Sequence, residues 1–258
     1  MALCTARTLG DRTVEETLLR NPVPPHERLI VALDLPSRKE ALKLVEELGD
    51  NVHFYKLGLE MLMGGEYFEL IHDLARMNKK VFVDLKFYDV PRTVAAAVRE
   101  LAKRRIEFAT VHGNDDILRS LREAKGDLKL LAVTVLTSLD ERDLTALGFQ
   151  STVQDLVVAR AGNAIRLGCD GIVASGQEAR RLRMELGEHF LLVTPGIRDE
   201  AVPGVDDQKR TVDVETAFKN GADYVVVGRP IRDSRTPAAK AAEYQRRIAA
   251  VCAPTQSS

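Results

Sequence analysis

Eight short apolar segments divide this chain, and an amphipathic segment follows each of them. The first covers residues 29–33 and the last covers residues 224–227. The first is apolar without alternation, which is typical of a strand buried on both faces of a parallel sheet. A repeated order of strand and helix implies parallel strands joined by right-handed crossovers. Eight such units favour an α/β fold of the closed (β/α)₈ type, the TIM barrel, with an open doubly wound sheet as the alternative.

The barrel is predicted to form a single catalytic domain over residues 27–250. A short N-terminal extension would precede it at 1–26, and a C-terminal tail would follow at 251–258. The extension ends in a proline-rich stretch that is typical of a stiff, extended connector. No GxGxxG pattern follows the first strand, which argues against a dinucleotide-binding fold.

Two helix patterns are specific enough to be tested. Ser37 followed three residues later by Glu40 predicts a capping box, and Gly49 predicts the end of the same helix. In the segment 66–77, helical spacing predicts one buried face. The residues of that face are Phe68, Ile71, Leu74 and Ala75.

Composition excludes several classes of partner and location. The chain of 258 residues has 37 Lys and Arg and 38 Asp and Glu, a net charge of −1, so we expect no nucleic-acid surface. No apolar run approaches the length of a membrane span. Cys4, Cys169 and Cys252 are scattered without a CxxC spacing. Together with a charged N-terminus, they predict a reducing, cytoplasmic location.

The residues that follow the strands predict where the function lies. In a barrel of this kind the active site lies at the C-terminal ends of the strands. Nearly every predicted strand ends in a polar or charged residue, and their convergence on one rim predicts a site there. In chain order these residues are Asp34, Lys56, Asp84 with Lys86, His112, Thr137 with Ser138, Ser175, Arg198, and Gly228 with Arg229.

Strands one to three supply one group of charges on this rim. Its members are Asp34, Lys56, Asp84, Lys86 and, just beyond, Asp89. Asp84 and Lys86 are two residues apart on a strand and are therefore predicted to point to the same side. Carboxylates and ammonium groups that alternate at close range keep each other ionised. Such an array can place a fixed negative charge beside a proton donor.

Strands seven and eight supply a second group. The loops after these strands frequently bind phosphate in such barrels. Arg198 and Arg229 would supply the positive charge, and Gly228 would allow close approach of the backbone. Gln208 lies in a long connection and is predicted to reach a phosphate oxygen or to help that loop close.

Several of these residues have a plainer interpretation. Lys56 can be a strand-end lysine that extends to solvent, and Arg198 can anchor a loop. His112 is predicted to be an internal hydrogen-bonding group rather than a catalyst, because no carboxylate partner is evident. The role of Ser175 is left open.

A magnesium site is a further alternative. Asp34, Asp84 and Asp89 offer the oxygen ligands that Mg²⁺ prefers. Lys56 and Lys86 argue against it, because two ammonium groups among the carboxylates already neutralise them. The sequence therefore predicts no metal.

The segment 84–93 reads DLKFYDVPRT and resembles the D-x-K-x-x-D-[IV]-P-x-T signature of the orotidine 5′-phosphate decarboxylase family, in its bacterial branch. The resemblance extends over residues 28–248. It includes ALD at 32–34, KLG at 56–58, VTVLTS at 133–138, TPGIR at 194–198 and VVGR at 226–229. One departure is VHGND at 111–115, where many members have His-Ala followed by glycines.

This resemblance implies decarboxylation of orotidine 5′-monophosphate to uridine 5′-monophosphate in pyrimidine biosynthesis, without a cofactor or a metal. It implies that Lys86 protonates the pyrimidine carbon that loses CO₂ and that Asp84 lies against the departing carboxylate. Lys56 and the partner subunit's Asp89 would complete the charged array.

The resemblance also assigns the substrate contacts. Asp34 and the partner subunit's Thr93 would hold the ribose hydroxyls, and Thr137 and Ser138 would meet the pyrimidine edge. The phosphate would be held by Arg198, Gln208, Gly228 and Arg229. Because Asp89 and Thr93 would act in the neighbouring site, a homodimer is implied.

Two other functions compete with this one. A Mg²⁺-dependent sugar-phosphate decarboxylase or aldolase of a related barrel shares the D-x-K-x-x-D pattern, but Lys56, the pair Thr137 and Ser138, and Arg198 disfavour it. A phosphate-binding module without activity is disfavoured because burying charges without using them is costly.

Overall fold

In the computed structural model, which describes residues 23–199 and 210–253, eight parallel strands close into a barrel in sequence order. Each strand pairs with its neighbours in sequence, and β8 pairs with β1. The prediction of a closed (β/α)₈ barrel is therefore confirmed. The strands are β1 (Leu29–Ala32), β2 (Phe54–Leu57), β3 (Lys80–Phe87), β4 (Phe108–His112), β5 (Lys129–Val133), β6 (Gly171–Val173), β7 (Leu191–Thr194) and β8 (Tyr224–Val227).

Helices follow the strands and cover the outside of the barrel. They are α1 (Arg38–Leu48), α2 (Leu59–Met63), α3 (Tyr67–Arg76), α4 (Pro91–Ala102), α5 (Asp115–Leu121), α6 (Glu141–Ala146), α7 (Val153–Arg166), α8 (Gly176–Leu186), α9 (Val214–Lys219), α10 (Arg229–Arg232) and α11 (Pro237–Cys252). The short helices α2, α6 and α10 were not predicted. Each lies in a loop after a strand end, where it shapes the rim.

The predicted start and end of α1 are confirmed, with the Ser37 half of the predicted capping box. The Ser37 hydroxyl accepts a hydrogen bond from the Glu40 amide, and Gly49 follows the helix with a φ of +53°. The predicted buried face of α3 is only partly right. Its buried residues are Tyr67, Leu70, Ile71 and Leu74. Phe68 is 42% exposed, because its ring lies under the guanidinium of Arg104, 4.2 Å away, rather than against the barrel.

Side chains fill the inside of the barrel, as the strand alternation requires. They are Ile30, Ala32, Phe54, Phe82, Phe108, Leu131, Val193, Tyr224 and Val226. The rings of Phe54 and Phe108 pack with their centroids 5.0 Å apart. The interior of the barrel is therefore filled, and any binding site must lie at one end of the barrel.

A buried ion pair ties α8 to β7 and β8 at the end of the barrel opposite the predicted site. Arg183 donates to Asp223 Oδ2 at 2.8 Å and to the carbonyls of Gly221 and Phe190, each at 3.0 Å. Asp223 also accepts from the Leu192 amide at 2.7 Å. All of these contacts are hydrogen bonds with a preferred geometry, so α8 can move little relative to the N-terminal ends of β7 and β8.

Gly221→Ala should destabilise the fold. Gly221 has a φ of +102°, and an added Cβ would lie 2.6 Å from Arg183 Cγ. We expect ~1–2 kcal/mol for the left-handed backbone and a further ~1–3 kcal/mol for the clash. Gly148→Ala is the matched control, because Gly148 has a φ of +86° with open space around it. Urea denaturation measures both, and equal losses would contradict the role given to Arg183.

Candidate active site

A cavity of about 470 Å³ opens at the C-terminal end of the strands. Apolar side chains such as Phe82 and Val226 form its floor. The predicted site residues that line it are Asp34, Lys56, Asp84, Lys86, Thr137, Ser138, Arg198, Gly228 and Arg229. Residues more than 190 positions apart in the chain thus share one cavity.

Four charged side chains from β1, β2 and β3 form an alternating array on one wall. Lys56 Nζ lies 3.0 Å from Asp34 Oδ1 and 3.6 Å from Asp84 Oδ2. Lys86 Nζ lies 2.9 Å from Asp84 Oδ1. Asp84 is therefore held between two ammonium groups.

This arrangement shifts the pKa values of its central members. Burial by itself would lower the pKa of Lys56, but the charges of Asp84 and Asp34 outweigh it, and the pKa lies above its ordinary value. Burial would raise the pKa of Asp84, but the charges of Lys56 and Lys86, with hydrogen bonds from Lys86 and Thr110, hold it below its usual range. Both groups are therefore ionised at neutral pH.

The array needs a residue without a side chain beside it. A Cβ at Gly58 would lie 3.3 Å from both Asp34 Oδ1 and Lys56 Nζ. Glycine at this position lets α2 begin directly against the ion pair.

Strand β3 continues through Asp84 and Lys86 to Phe87. The two charged side chains do converge on one side, as predicted. The strand is not regular there, because its register with β4 shifts between Val83 and Phe87. Lys86 has a φ of +50°. Convergence comes from this bulge as much as from the two-residue spacing.

Two residues that form hydrogen bonds to this array were missed by the sequence analysis. The hydroxyl of Thr110, inside β4, donates to Asp84 Oδ1 at 3.0 Å. Arg232 Nη1 donates to the backbone oxygen of Asp34 at 2.6 Å and lines the cavity. A threonine in a buried strand has no sequence pattern that would mark it as a site residue. Arg232 could have been predicted, because it follows Arg229 by three residues and so shares its helix face.

The part of the rim formed by β7 and β8, next to β1, carries the arginines that were predicted to bind phosphate. The Arg198 amide donates to Val212 O at 3.0 Å, which fixes the start of the loop after β7. Arg229 begins α10, directly after Gly228. A Cβ at Gly228 would lie 3.5 Å from the Ala32 Cβ. Gln208 lies outside the described residues.

The loop after β5, which carries Thr137 and Ser138, is braced through its backbone. Arg210 Nη2 donates to the oxygens of Val135 and Leu136, at 3.2 and 2.9 Å. The same guanidinium pairs with buried Glu178 at 2.6 Å. Strand β5 ends at Val133, and these contacts replace the sheet beyond that point.

Ser175 also belongs to this brace. Its hydroxyl accepts from the Gln177 amide and donates to Arg210 O at 3.2 Å. Ser175 is fully buried and caps α8, so its role is structural.

Asp89 and Thr93 do not line the cavity of their own chain. Both are exposed, and Asp89 accepts a hydrogen bond from the Val90 amide at 2.6 Å. Their neighbours Tyr88 and Val90 are 65% and 62% exposed. An apolar surface with two polar site candidates therefore lies beside the cavity rather than in it.

His112 lies under this surface. Its ring packs on Tyr88, with the centroids 4.7 Å apart. Burial, followed by the charges of Arg160 and Lys86, lowers the pKa of His112. The imidazole is therefore neutral at neutral pH and faces the Tyr88 ring.

The described ranges, 23–199 and 210–253, contain neither a metal-binding cluster nor a membrane-spanning helix. No group of three or more His, Cys, Asp or Glu side chains there is placed to hold a metal ion. No helix in the same ranges has the length and apolar character needed to cross a bilayer.

Comparisons with known proteins identify the same family. The family model described as "Orotidine 5′-phosphate decarboxylase / HUMPS family" matches residues 27–244. The orotidine 5′-phosphate decarboxylase of Methylococcus capsulatus is 54% identical over 231 residues, which cover 90% of this chain and 96% of that protein. The enzyme of the same name from Xanthomonas euvesicatoria is 51% identical over 231 residues, 89% of this chain and 95% of that protein.

A solved structure agrees with these sequences. The crystal structure of orotidine 5′-phosphate decarboxylase from Lactobacillus acidophilus superimposes with a TM-score of 0.76 at 31% identity. The match covers 86% of this chain and 99% of that one.

Proposed function

The chain belongs to the orotidine 5′-phosphate decarboxylase / HUMPS family and converts orotidine 5′-monophosphate to uridine 5′-monophosphate in pyrimidine biosynthesis, and we propose that Asp84 and Lys86 perform the chemistry. One observation carries the proposal. Asp84 and Lys86 form a partly buried ion pair with an oxygen–nitrogen distance of 2.9 Å at the cavity wall. The pair offers a fixed negative charge and a proton donor side by side.

The reaction needs both charges. When the bond between the ring carbon and the carboxylate breaks, CO₂ leaves and the electron pair stays on the carbon. An adjacent ammonium stabilises that pair, because a preorganised charge costs no reorganisation at the moment of reaction. Lys86 then gives its proton to the carbon, and solvent reprotonates the amine.

Asp84 has two tasks in this proposal. It lies against the substrate carboxylate, so that loss of CO₂ removes a repulsion between like charges. It also holds the ammonium of Lys86 in place before and after the proton moves. Lys56 supports Asp84 from the other side and keeps it ionised.

Substrate binding is assigned to the rest of the cavity. Asp34 would hold a ribose hydroxyl, and Thr137 and Ser138 would meet the pyrimidine edge. Arg198, Gln208, Gly228 and Arg229 would hold the phosphate. Phosphate binding far from the reacting bond supplies free energy for orientation and desolvation at that bond.

The proposal needs no cofactor and no metal. Asp34 and Asp84 are already paired with ammonium groups, which leaves little attraction for a dication. Purified protein should therefore stay fully active in excess EDTA. Loss of activity that Mg²⁺ restores would instead favour a Mg²⁺-dependent sugar-phosphate enzyme of a related barrel.

The proposal includes a homodimer with shared sites. Asp89 would complete the charged array of the neighbouring subunit, and Thr93 would hold a ribose hydroxyl there. Their exposure, beside the exposed apolar side chains of Tyr88 and Val90, supports this assignment. A cytoplasmic location stays a prediction, which rests on the scattered cysteines.

Lys86→Ala should abolish turnover, because it removes both the proton donor and the cation beside the carbanion. We expect kcat to fall at least a thousandfold, about 4 kcal/mol. Loss of substrate absorbance measures turnover, and calorimetry should show that the variant still binds uridine 5′-monophosphate. A variant that keeps a tenth of wild-type kcat would contradict the role assigned to Lys86.

Arg229→Ala should weaken recognition of the phosphate. Truncating a charged hydrogen-bonding group typically costs about 2–5 kcal/mol. The expected loss in kcat/KM applies to the nucleotide and not to orotidine, the nucleoside without phosphate. Arg235→Ala is the control, because Arg235 is exposed and lies outside the cavity. Equal losses with both substrates would show that Arg229 does not hold the phosphate.

Two inactive variants should complement each other if Asp89 acts in the neighbouring site. Mixing Lys86→Ala chains with Asp89→Ala chains gives mixed dimers with one doubly defective site and one intact site. Random exchange makes about half of the dimers mixed, so about a quarter of all sites become wild type. Activity should rise from near zero toward roughly a quarter of wild type.

The control mixture combines Lys86→Ala with Asp84→Ala. Both residues lie in the same chain's cavity, so every site of a mixed dimer keeps one defect and the mixture stays inactive. If the first mixture is as inactive as the control despite proven exchange, Asp89 acts within its own chain.

A further inference from the structure

The backbone around Lys86 is irregular in a way that the pairing of β3 with β4 makes clear. The partners of Val83 and Phe87 are only two residues apart on β4. Three residues of β3, at 84–86, therefore face the single residue Thr110. Such a bulge leaves backbone groups without their ladder partners.

Lys86 also has a φ of +50°, a left-handed conformation that residues with a Cβ rarely adopt. Strain of this kind persists only where surrounding contacts hold it, and it is concentrated at functional sites. A specific contact must therefore hold the backbone of Lys86 in this conformation.

Thr110 supplies that contact through one hydroxyl group. Its Oγ1 accepts a hydrogen bond from the Lys86 amide at 2.9 Å. The same Oγ1 donates to Asp84 Oδ1 at 3.0 Å. Asp84 Oδ1 in turn accepts from Lys86 Nζ at 2.9 Å. The hydroxyl thus closes a ring that runs through the backbone and the side chain of Lys86.

We propose that Thr110 is a positioning residue that holds Lys86 and Asp84 in reactive geometry through its two hydrogen bonds. This inference rests on the proposed function of that pair. Thr110 does not line the cavity and touches no substrate. It acts only through the two residues that do.

The side chain suits this task. A β-branched residue has few rotamers, so its hydroxyl is aimed by the strand itself. Thr110 is fully buried, and its hydroxyl meets no competing water. Because linked hydrogen bonds polarise one another, the bond that Thr110 donates to the Asp84 carboxylate strengthens the bond that Thr110 accepts from the Lys86 amide.

The plainer alternative is a threonine that serves only as a strand former, since β-branched residues favour strands. Valine would serve equally well in that case. The two interpretations therefore differ in what removal of the hydroxyl does.

The test compares Thr110→Val, which keeps the shape and removes the hydroxyl, with Thr110→Ser, which keeps the hydroxyl. For Thr110→Val we expect kcat to fall about ten- to a hundredfold, as for loss of hydrogen bonds to a charged group. KM should change less than about threefold, because the predicted phosphate and ribose contacts lie on other strands. Thr110→Ser should keep at least about a third of wild-type kcat.

A binding measurement separates positioning from general damage. One probe is uridine 5′-monophosphate. The other is an analogue whose ring carries a full negative charge where CO₂ is lost, which resembles the carbanion. Thr110→Val should lose about tenfold or more in affinity for the charged analogue and keep its affinity for uridine 5′-monophosphate.

Each outcome decides the question. Equal affinity losses for both probes, or an unchanged kcat in Thr110→Val, would overturn the proposal. If Thr110→Val does not fold, Thr110→Ser decides alone, and a folded serine variant with kcat lowered tenfold or more overturns it. Lys86→Ala runs in parallel: if that variant stays active, the proposed function has failed, whatever Thr110 does.

Discussion

The burial of the Asp84 carboxylate is the constraint on which this site depends. A lone buried carboxylate would take up a proton, and only the two ammonium groups beside it keep it charged. The Lys56 ammonium needs its carboxylate partners for the same reason, since burial by itself would lower the pKa of Lys56. Lys56, Asp84 and Lys86 therefore form one electrostatic unit, and removing any member deprives another of a charged partner. The proposed chemistry would use this arrangement, because Lys86 would give up its proton only when a carbanion forms beside it.

The barrel makes such a unit possible because the residues that stabilise the fold are separate from those that line the cavity. Its interior is filled by side chains, and its far end is closed by the Arg183 and Asp223 pair. The rim is built from loops whose backbones are held by charged side chains from elsewhere. Arg210 braces the loop that carries Thr137 and Ser138. Guanidinium groups suit this work, since one planar group can bind several oxygens at once.

The proposed division of the site between subunits agrees with the shape of the segment after β3. That segment turns outward at Tyr88 and begins α4 at Pro91, so Asp89 leaves the cavity to which Lys86 belongs. Asp84 lines the cavity, whereas Asp89, five residues later, does not. A shared site would make activity depend on assembly, because an isolated subunit would lack one charge of its array.

The sequence by itself determined the order of strands and helices, the barrel, and most of the charged residues at its rim. It did so because parallel strands need continuous apolar runs and because strand ends in a barrel meet at one edge. Only the tertiary structure decided the contacts across strands. The bulge at Lys86 depends on its pairing with β4, and Thr110 looks like any strand threonine until that pairing is known. Arg210 and Glu178 are 32 residues apart in the chain and carry no motif in common. Local patterns encode which face of an element is buried, but hydrogen bonds between distant segments are set by how those elements pack.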